Sequence, residues 1–243
     1  YNETGILRER NSFHQKMPCA IRLQYIELHI CRQQSQLCIF FLFSPEVFYS
    51  PRNSLSAFHI IIELFKLSGS DSTDKILDIL DKYKITATFF ITGGWAEKNP
   101  DTLKRIADSG YELGNHSENH KNMESMSDEE CRREIMSVHE AVKSLTGVEM
   151  DLFRPPYGAC NSQLIQSAED CGYATVSWDC DSMDWKDYGA ETIVKTVCEN
   201  PKLKNGSIIR MNCSAKYTPE ALETIISNLK ERGFQFKPLS EYL

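Results

Sequence analysis

Residues 87–120 read ATFFITGGWAEKNPDTLKRIADSGYELGNHSENH, and this stretch carries the pattern that decides the fold. It begins with a short apolar run rich in β-forming residues, at 87–92. Pro100 then opens a helical segment that Gly110 ends, and residues 111–114 form a second apolar run. The order strand, helix, strand predicts one unit of a parallel sheet covered by helices.

The same alternation continues on both sides of this stretch. Further helices are predicted at 73–83, 128–145, 162–171, 190–199 and 218–232, and further strands at 151–153, 173–177, 207–211 and 234–236. The strands are short and apolar, as strands buried on both faces are. The pattern predicts the α/β class, and both a barrel and an open doubly wound sheet fit it.

Residues 1–68 differ in character from the rest of the 243-residue chain. They contain no Asp and a single Gly, and their net charge is +2, whereas the remainder carries −9. Apolar clusters at 38–43 and 58–64 are visible, but turn signals between them are few. We therefore predict an atypical N-terminal segment at 1–68 without an assignable fold, and a regular domain at 69–243.

Composition and charge exclude several classes of protein. The net charge of −7 disfavours nucleic acid or an anionic membrane as the partner. Nine cysteines, an odd number without CxxC pairs, do not predict a disulfide framework. The most apolar run, residues 37–43, is too short to span a bilayer, and no signal peptide is recognisable.

The first polar cluster follows the predicted strand at 111–114 and contains His116 and His120. Two histidines four residues apart on a turn of helix direct both imidazoles to one point, and zinc accepts neutral imidazole nitrogen. The alternative is a pair of surface histidines near a helix start. The pattern is not that of zincins, which need Glu directly after the first His.

Three more clusters follow later strands. Residues 153–158, FRPPYG, combine a rigid Pro-Pro pair with a glycine, and such a loop can hold a backbone N–H toward an oxyanion or simply form a turn. Residues 178–185, WDCDSMDW, place carboxylates beside two tryptophans and suit a sugar site or a solvated acidic loop. Residues 211–217, MNCSAKY, say little alone. Active sites of parallel α/β folds are built at this edge of the sheet.

Taken in order, the clusters resemble polysaccharide deacetylases of carbohydrate esterase family four, also called NodB-homology domains. The resemblance runs from Lys75 to Leu243 and includes residues 87–90, ATFF, and 217–222, YTPEAL. It implies a distorted (β/α) barrel of about seven strands, with a first strand that this chain lacks. It also implies metal-assisted hydrolysis of N-acetyl groups on peptidoglycan or a chitin-like glycan.

The resemblance implies roles for six residues. His116 and His120 would hold a divalent metal, zinc being the expected ion. Arg154 would position the catalytic base, and the backbone N–H of Tyr157 would help to hold the oxyanion. Asp184 would tune the general acid. The last of the six is Trp185, which would line the pocket of the acetyl methyl group.

Two positions depart from the family pattern. Phe65 stands where the family has its base Asp, and Lys66 stands where a metal-ligating Asp is frequent. Asp71 is the nearest carboxylate, and we do not expect it to substitute. Asn212 stands where the family has the general-acid His, and a neutral amide cannot exchange a proton near pH 7. A reading-frame error or gene rearrangement upstream of Gly69, or a diverged extension, would account for the first departure.

Three hypotheses follow for the function. The first is a polysaccharide deacetylase with impaired turnover, which would release little acetate. The second is a non-catalytic glycan-binding protein, which would retain glycan without releasing acetate. The third is a metal-free α/β protein with an unrelated function, which would do neither. The resemblance suggests the cell envelope or the exterior as the location, and the sequence predicts no protein partner.

Overall fold

The computed structural model of the chain describes residues 57–64 and 72–241. Within them, eight strands alternate with seven α-helices. The strands are β1 (Ala57–Leu64), β2 (Thr88–Ile91), β3 (Glu112–Asn115), β4 (Leu152–Phe153), β5 (Ala174–Thr175), β6 (Cys180–Asp181), β7 (Ile208–Asn212) and β8 (Gln235–Phe236). The helices are α1 (Thr73–Tyr83), α2 (Gly93–Lys98), α3 (Pro100–Asp108), α4 (Asp128–Thr146), α5 (Ser162–Asp170), α6 (Ala190–Cys198) and α7 (Thr218–Glu231). Short 3-10 turns lie at Pro156–Gly158, Asp184–Lys186 and Leu239–Glu241.

All strands belong to one parallel sheet with the order β5-β4-β3-β2-β1-β7-β6, and β8 pairs with the start of β1. β1 is an interior strand, where Ile61 lies opposite Thr88 of β2 and Arg210 of β7. The parallel sheet and its alternating helices confirm the predicted α/β class. No helix in the described ranges is both long and apolar enough to cross a membrane.

The sheet curves strongly. β5 and β6 stand at its two ends, yet only residues 176–179 connect them. Because a chain spans at most ~3.6 Å per residue, Thr175 and Cys180 lie within about 18 Å of each other. Seven strands spaced by ~4.8 Å in a flat sheet would place its edges about 29 Å apart. No pairing between β5 and β6 occurs in the described part of the chain, so a closed barrel of about seven strands stays a prediction.

The expectation that the sheet lacks its first strand is wrong. β1 occupies that place with residues from before Gly69, and it pairs on both sides. Phe58 and Ile60 of this strand are buried. The sequence of this strand, AFHIIIEL, has three isoleucines in succession at 60–62, so it gives no regular period-two signal. Where the domain begins stays a prediction, although its first strand precedes residue 69.

Every helix and strand predicted after residue 72 is present within a few residues, and two further elements, α2 and β6, were not predicted. α2 begins at Gly93, which the sequence suggests as a break. A Cβ atom at this position would lie 1.9 Å from the carboxylate of Glu118, so any larger residue would require that side chain to move. β6 is two residues long, too short to produce a periodic pattern.

Candidate active site

The four polar clusters meet at one edge of the sheet. The carboxyl ends of β3, β4 and β7 lead directly into the first, second and fourth cluster. The third cluster starts after β5 and contains β6. Parallel strands end at the same edge, so the predicted placement of the clusters together is confirmed.

His116 is held in one orientation at the end of β3. Its side chain is fully buried, and its Nδ1 lies 2.7 Å from the backbone carbonyl of Arg154. A carbonyl oxygen only accepts, so Nδ1 carries the proton. In the neutral ring this tautomer leaves the lone pair on Nε2, the arrangement by which a second partner orients a metal-ligating histidine.

His120 lies beside His116, but the segment between them is not helical. The two ring centroids are 4.8 Å apart with an interplanar angle of 76°. Ser117 and His120 have φ values of 67° and 51°, in the left-handed region. The prediction of a helical turn is therefore wrong. The loop returns on itself, and the backbone N–H of His120 donates to the hydroxyl of Ser117 at 3.1 Å.

Asn115 fixes the start of this loop, and sequence reasoning did not single it out. The residue is fully buried, its Nδ2 donates to the carbonyl of Ile135 at 2.7 Å, and its Oδ1 accepts from the N–H of Ser117 at 3.0 Å. Its backbone carbonyl accepts from the N–H of Arg154 at 2.9 Å. One asparagine thus ties the histidine loop to α4 and to the second cluster.

Trp178 joins the two halves of the edge. The guanidinium carbon of Arg154, from the end of β4, lies 4.0 Å from the centroid of the Trp178 ring. The guanidinium carbon of Arg210, from β7, lies 4.9 Å from that centroid. Arg210 also pairs with Asp181 at 2.8 Å. Because Arg154 is buried and in contact with the ring, its position depends on a residue in the loop between β5 and β6.

The backbone after Arg154 turns sharply at two positions. Tyr157 has φ 60° and ψ 0°, a conformation that residues other than glycine adopt at a cost. Its side chain is 66% exposed, and its ring centroid lies 4.8 Å from that of His120. Gly158 follows with φ 69°, and a Cβ atom there would lie 2.3 Å from the Trp178 ring. The glycine therefore allows the loop to approach the tryptophan.

Asp184 is the centre of a buried group of donors at the other half of the edge. Its Oδ2 accepts from the backbone N–H of Asn212 and from the hydroxyl of Thr218, each at 2.7 Å. Its Oδ1 accepts from the side-chain Nδ2 of Asn212 at 2.7 Å. Thr218 was predicted only as a helix start, and its contact with a residue 34 positions earlier has no local signal.

Burial raises the pKa of the Asp184 carboxyl, and the hydrogen bonds from Asn212, Thr218 and Ser182 oppose that shift. Asn212 donates its backbone N–H and one side-chain N–H to this carboxylate. Its Oδ1 is buried and has no hydrogen-bond partner in the described part of the chain. Trp185, next to Asp184, is 54% exposed and stands at the rim of the site.

The donor set accounts for part of a metal site. His116 and His120 lie side by side, and both suit a zinc-like ion. The described ranges hold no group of three His, Cys, Asp or Glu residues that could bind a metal ion. The three residues considered for the catalytic base and a further metal ligand lie outside the described part of the chain. They are Phe65, Lys66 and Asp71.

Comparison with known proteins identifies the family. A family profile described as polysaccharide deacetylase matches residues 63–176. A peptidoglycan-N-acetylglucosamine deacetylase of Bacillus cereus is 35% identical over 176 residues, which cover 70% of this chain and 81% of that protein. The peptidoglycan-N-acetylmuramic acid deacetylase PdaA of Bacillus subtilis is 31% identical over 179 residues, 70% of this chain and 66% of the relative.

Several curated relatives are longer than the matched region. The chain spans 64%, 66% and 62% of the length of three of them. A solved peptidoglycan N-acetylglucosamine deacetylase, bound to an N-hydroxybenzamide compound, shares 30% identity. Its TM-score is 0.74, and the match covers 80% of this chain and 91% of that one.

Catalytically inactive members are also similar. A pseudoenzyme of carbohydrate esterase family four from Bacillus anthracis has a TM-score of 0.73 and 30% identity, over 80% of this chain and 67% of that one. A mutant of this pseudoenzyme with restored enzymatic activity has the same TM-score and identity. By sequence and by structure, the chain therefore belongs to the polysaccharide deacetylase family, carbohydrate esterase family four.

Proposed function

We propose that this domain binds an N-acetylated glycan of the peptidoglycan type and hydrolyses its N-acetyl groups only slowly. Kinship with peptidoglycan deacetylases supports the substrate class. Such a substrate would place the protein at the cell envelope or outside the cell. We further propose that the reaction depends on a divalent metal, with zinc as the ion.

The residues at this edge of the sheet would have different roles in the reaction. His116 and His120 would hold the metal ion, whose chemistry is to polarise a carbonyl and activate water. The N–H of Tyr157, presented by a left-handed turn, would donate to the developing oxyanion. Arg154, fixed against Trp178, would hold the carboxylate of a base if the chain supplies one.

Asn212 is the observation that carries the proposed impairment. Its Nδ2 makes the hydrogen bond to Asp184 that an imidazole N–H could also make. The amide keeps this contact and cannot pass a proton to a leaving amine. General acid catalysis typically contributes about 10²–10⁴-fold in rate, so the loss should be of that order.

A non-catalytic glycan-binding protein is the second candidate. The similar pseudoenzyme from Bacillus anthracis favours it, because it shows that members of this family with 30% identity to the chain can lack activity. The exposed Trp185 would still offer a ring to a sugar. In this case the domain would hold glycan and release no acetate.

Acetate release separates the two candidates. The parent protein and Asn212→His are incubated with N-acetylated chitin oligomers or peptidoglycan fragments in the presence of zinc or cobalt. Slow release by the parent that rises in Asn212→His supports the impaired hydrolase. Asn205→His, at the opposite end of β7, controls for the added imidazole.

Three other outcomes are informative. Binding without release by either protein supports the glycan-binding candidate. Robust, metal-dependent release by the parent would contradict the assigned role of Asn212. Neither binding nor release would count against both candidates.

A further inference from the structure

Large exposed hydrophobic side chains are concentrated at one edge of the molecule. Within the described ranges they are Tyr157, Met183, Trp185 and Tyr188, which are 66%, 43%, 54% and 69% exposed. The first lies in the loop after β4, and the other three follow β6. Single exposed hydrophobic residues are ordinary, but their confinement to the loops of the candidate site indicates a binding surface.

Tyr188 is the most exposed of these residues, and the proposed hydrolysis gives it no role. Its backbone is nevertheless fixed, since its carbonyl accepts from the hydroxyl of Thr192 at 3.0 Å. The preceding residue, Asp187, donates its N–H to the carbonyl of Asp184 at 3.0 Å. Its carboxylate accepts from the N–H of Lys216 at 3.1 Å. The ring is thus presented on an ordered loop, which reduces the entropy lost on binding.

Lys186 links Tyr188 to the rim of the candidate site. Its Nζ lies 5.2 Å from the ring centroid of Trp185 and 5.9 Å from that of Tyr188. Because both rings lie within 6 Å of one ammonium group, their centroids are at most about 11 Å apart. A neighbouring sugar ring of a bound glycan can cover such a distance. The two aromatic rings are therefore close enough for adjacent sugars of one glycan to contact both.

The charge of this loop indicates an uncharged ligand. Residues 179–187 contain four Asp and one Lys, but Asp181 pairs with Arg210 and Asp184 is buried. The exposed carboxylates of Asp179 and Asp187 still outnumber the single ammonium, so an anionic sugar would gain no net attraction here. A neutral pyranose presents C–H groups to an aromatic face and hydroxyls to the carboxylates, so its chemistry matches the surface.

We propose that Tyr188 forms an outer sugar subsite, which takes an uncharged N-acetylhexosamine ring adjacent to the sugar at Trp185. The inference rests on the proposed function, because it assumes that a glycan enters the candidate site. Longer oligosaccharides should therefore bind more tightly than short ones.

The test measures affinity as a function of glycan length. Calorimetry with N-acetylglucosamine and its β-1,4 oligomers, from the monomer to the hexamer, is carried out on the parent, Tyr188→Ala and Tyr188→Phe. The parent should gain affinity with length, and Tyr188→Ala should lose roughly three- to tenfold for the dimer and longer oligomers, which can reach both rings. The monomer should bind both proteins alike, and Tyr188→Phe should match the parent because stacking uses the ring.

Each other result has a distinct meaning. Unchanged binding of long oligomers by Tyr188→Ala, or an equal loss for the monomer and the hexamer, would overturn the outer subsite while leaving glycan binding intact. Failure of the parent to bind any oligomer would refute glycan binding itself and the subsite with it. Tyr188 is largely exposed, so thermal unfolding should confirm that Tyr188→Ala keeps the parent's fold.

Discussion

The Nδ2 of Asn212 donates to the Oδ1 of Asp184 at 2.7 Å, and the backbone N–H of the same asparagine donates to the other oxygen at 2.7 Å. One residue therefore satisfies both oxygens of a carboxylate that has no exposure to solvent. Thr218 adds a third donor. Buried carboxylates are costly unless they are hydrogen-bonded, so this group stabilises the edge of the sheet whether or not the domain turns over substrate.

The pH dependence of the free energy of unfolding should reveal the raised pKa of Asp184. Burial raises its pKa above the usual value near 3.8, so the folded chain binds this proton more tightly than the unfolded chain does. The contribution to stability is therefore full below the unfolded pKa, and it is lost as pH rises toward the raised folded pKa. Unfolding by urea at several pH values should show the free energy of the parent, relative to Asp184→Asn, falling across this window. A relative increase with pH would contradict the direction of the shift.

Alanine substitutions at Gly158 and Gly172 can separate backbone strain from steric overlap. Both have positive φ, 69° and 85°, but a Cβ atom would meet Trp178 only at Gly158 and nothing within 4 Å at Gly172. Gly172→Ala should destabilise by about 1 kcal/mol through strain alone. Gly158→Ala should destabilise by about 2–4 kcal/mol, because it adds a steric overlap. If denaturant unfolding shows that both variants lose the same free energy of unfolding, the loop and Trp178 can move apart at little cost.

Zinc should bind weakly and through His116. Catalytic zinc sites normally use three protein ligands, and the described residues supply two imidazoles. Calorimetric titration should therefore show a weak site in the parent that His116→Ala abolishes. His139→Ala is the control, because this histidine contacts Tyr173 and lies on α4. Tight binding that survives His116→Ala would refute the ligand assignment.

The sheet should not form without β1. This strand pairs with β2, β7 and β8, so its removal would leave β8 unpaired and would divide the sheet between β2 and β7. A chain that begins at residue 65 should be unfolded by circular dichroism, whereas one that begins at residue 55 should retain a cooperative thermal transition. Cooperative unfolding of the shorter chain would show that the sheet tolerates the loss of β1.

Local sequence signals were sufficient to locate the site residues that lie within motifs. His116, Arg154 and Asp184 could be placed at one edge because each follows a short apolar run, and parallel strands end together. Their roles came from resemblance to the family and stay predictions. The left-handed loop around His120 was misread because histidine spacing alone does not specify backbone conformation.

The supporting residues could not be found in this way. Trp178 reaches two arginines on other strands, and Thr218 reaches Asp184 across 34 residues. Such contacts depend on the strand order, which the sequence does not specify. The strand at 57–64 was missed for a different reason, because the three successive isoleucines at 60–62 interrupt any period of two.

The position of β1 has a consequence for synthesis of the protein. Its residues leave the ribosome early, but Ile208 and Gln235, which pair with its backbone, follow about 150 residues later or more. At roughly 5–20 residues per second, an apolar strand waits on the order of ten to thirty seconds for these neighbours. During that interval β2 can already pair with one edge of β1, but the edge that later pairs with β7 stays open to other chains. We expect the yield of folded protein in cells to depend on chaperones that bind nascent chains. We also expect it to depend on the growth temperature, which sets the rate of translation.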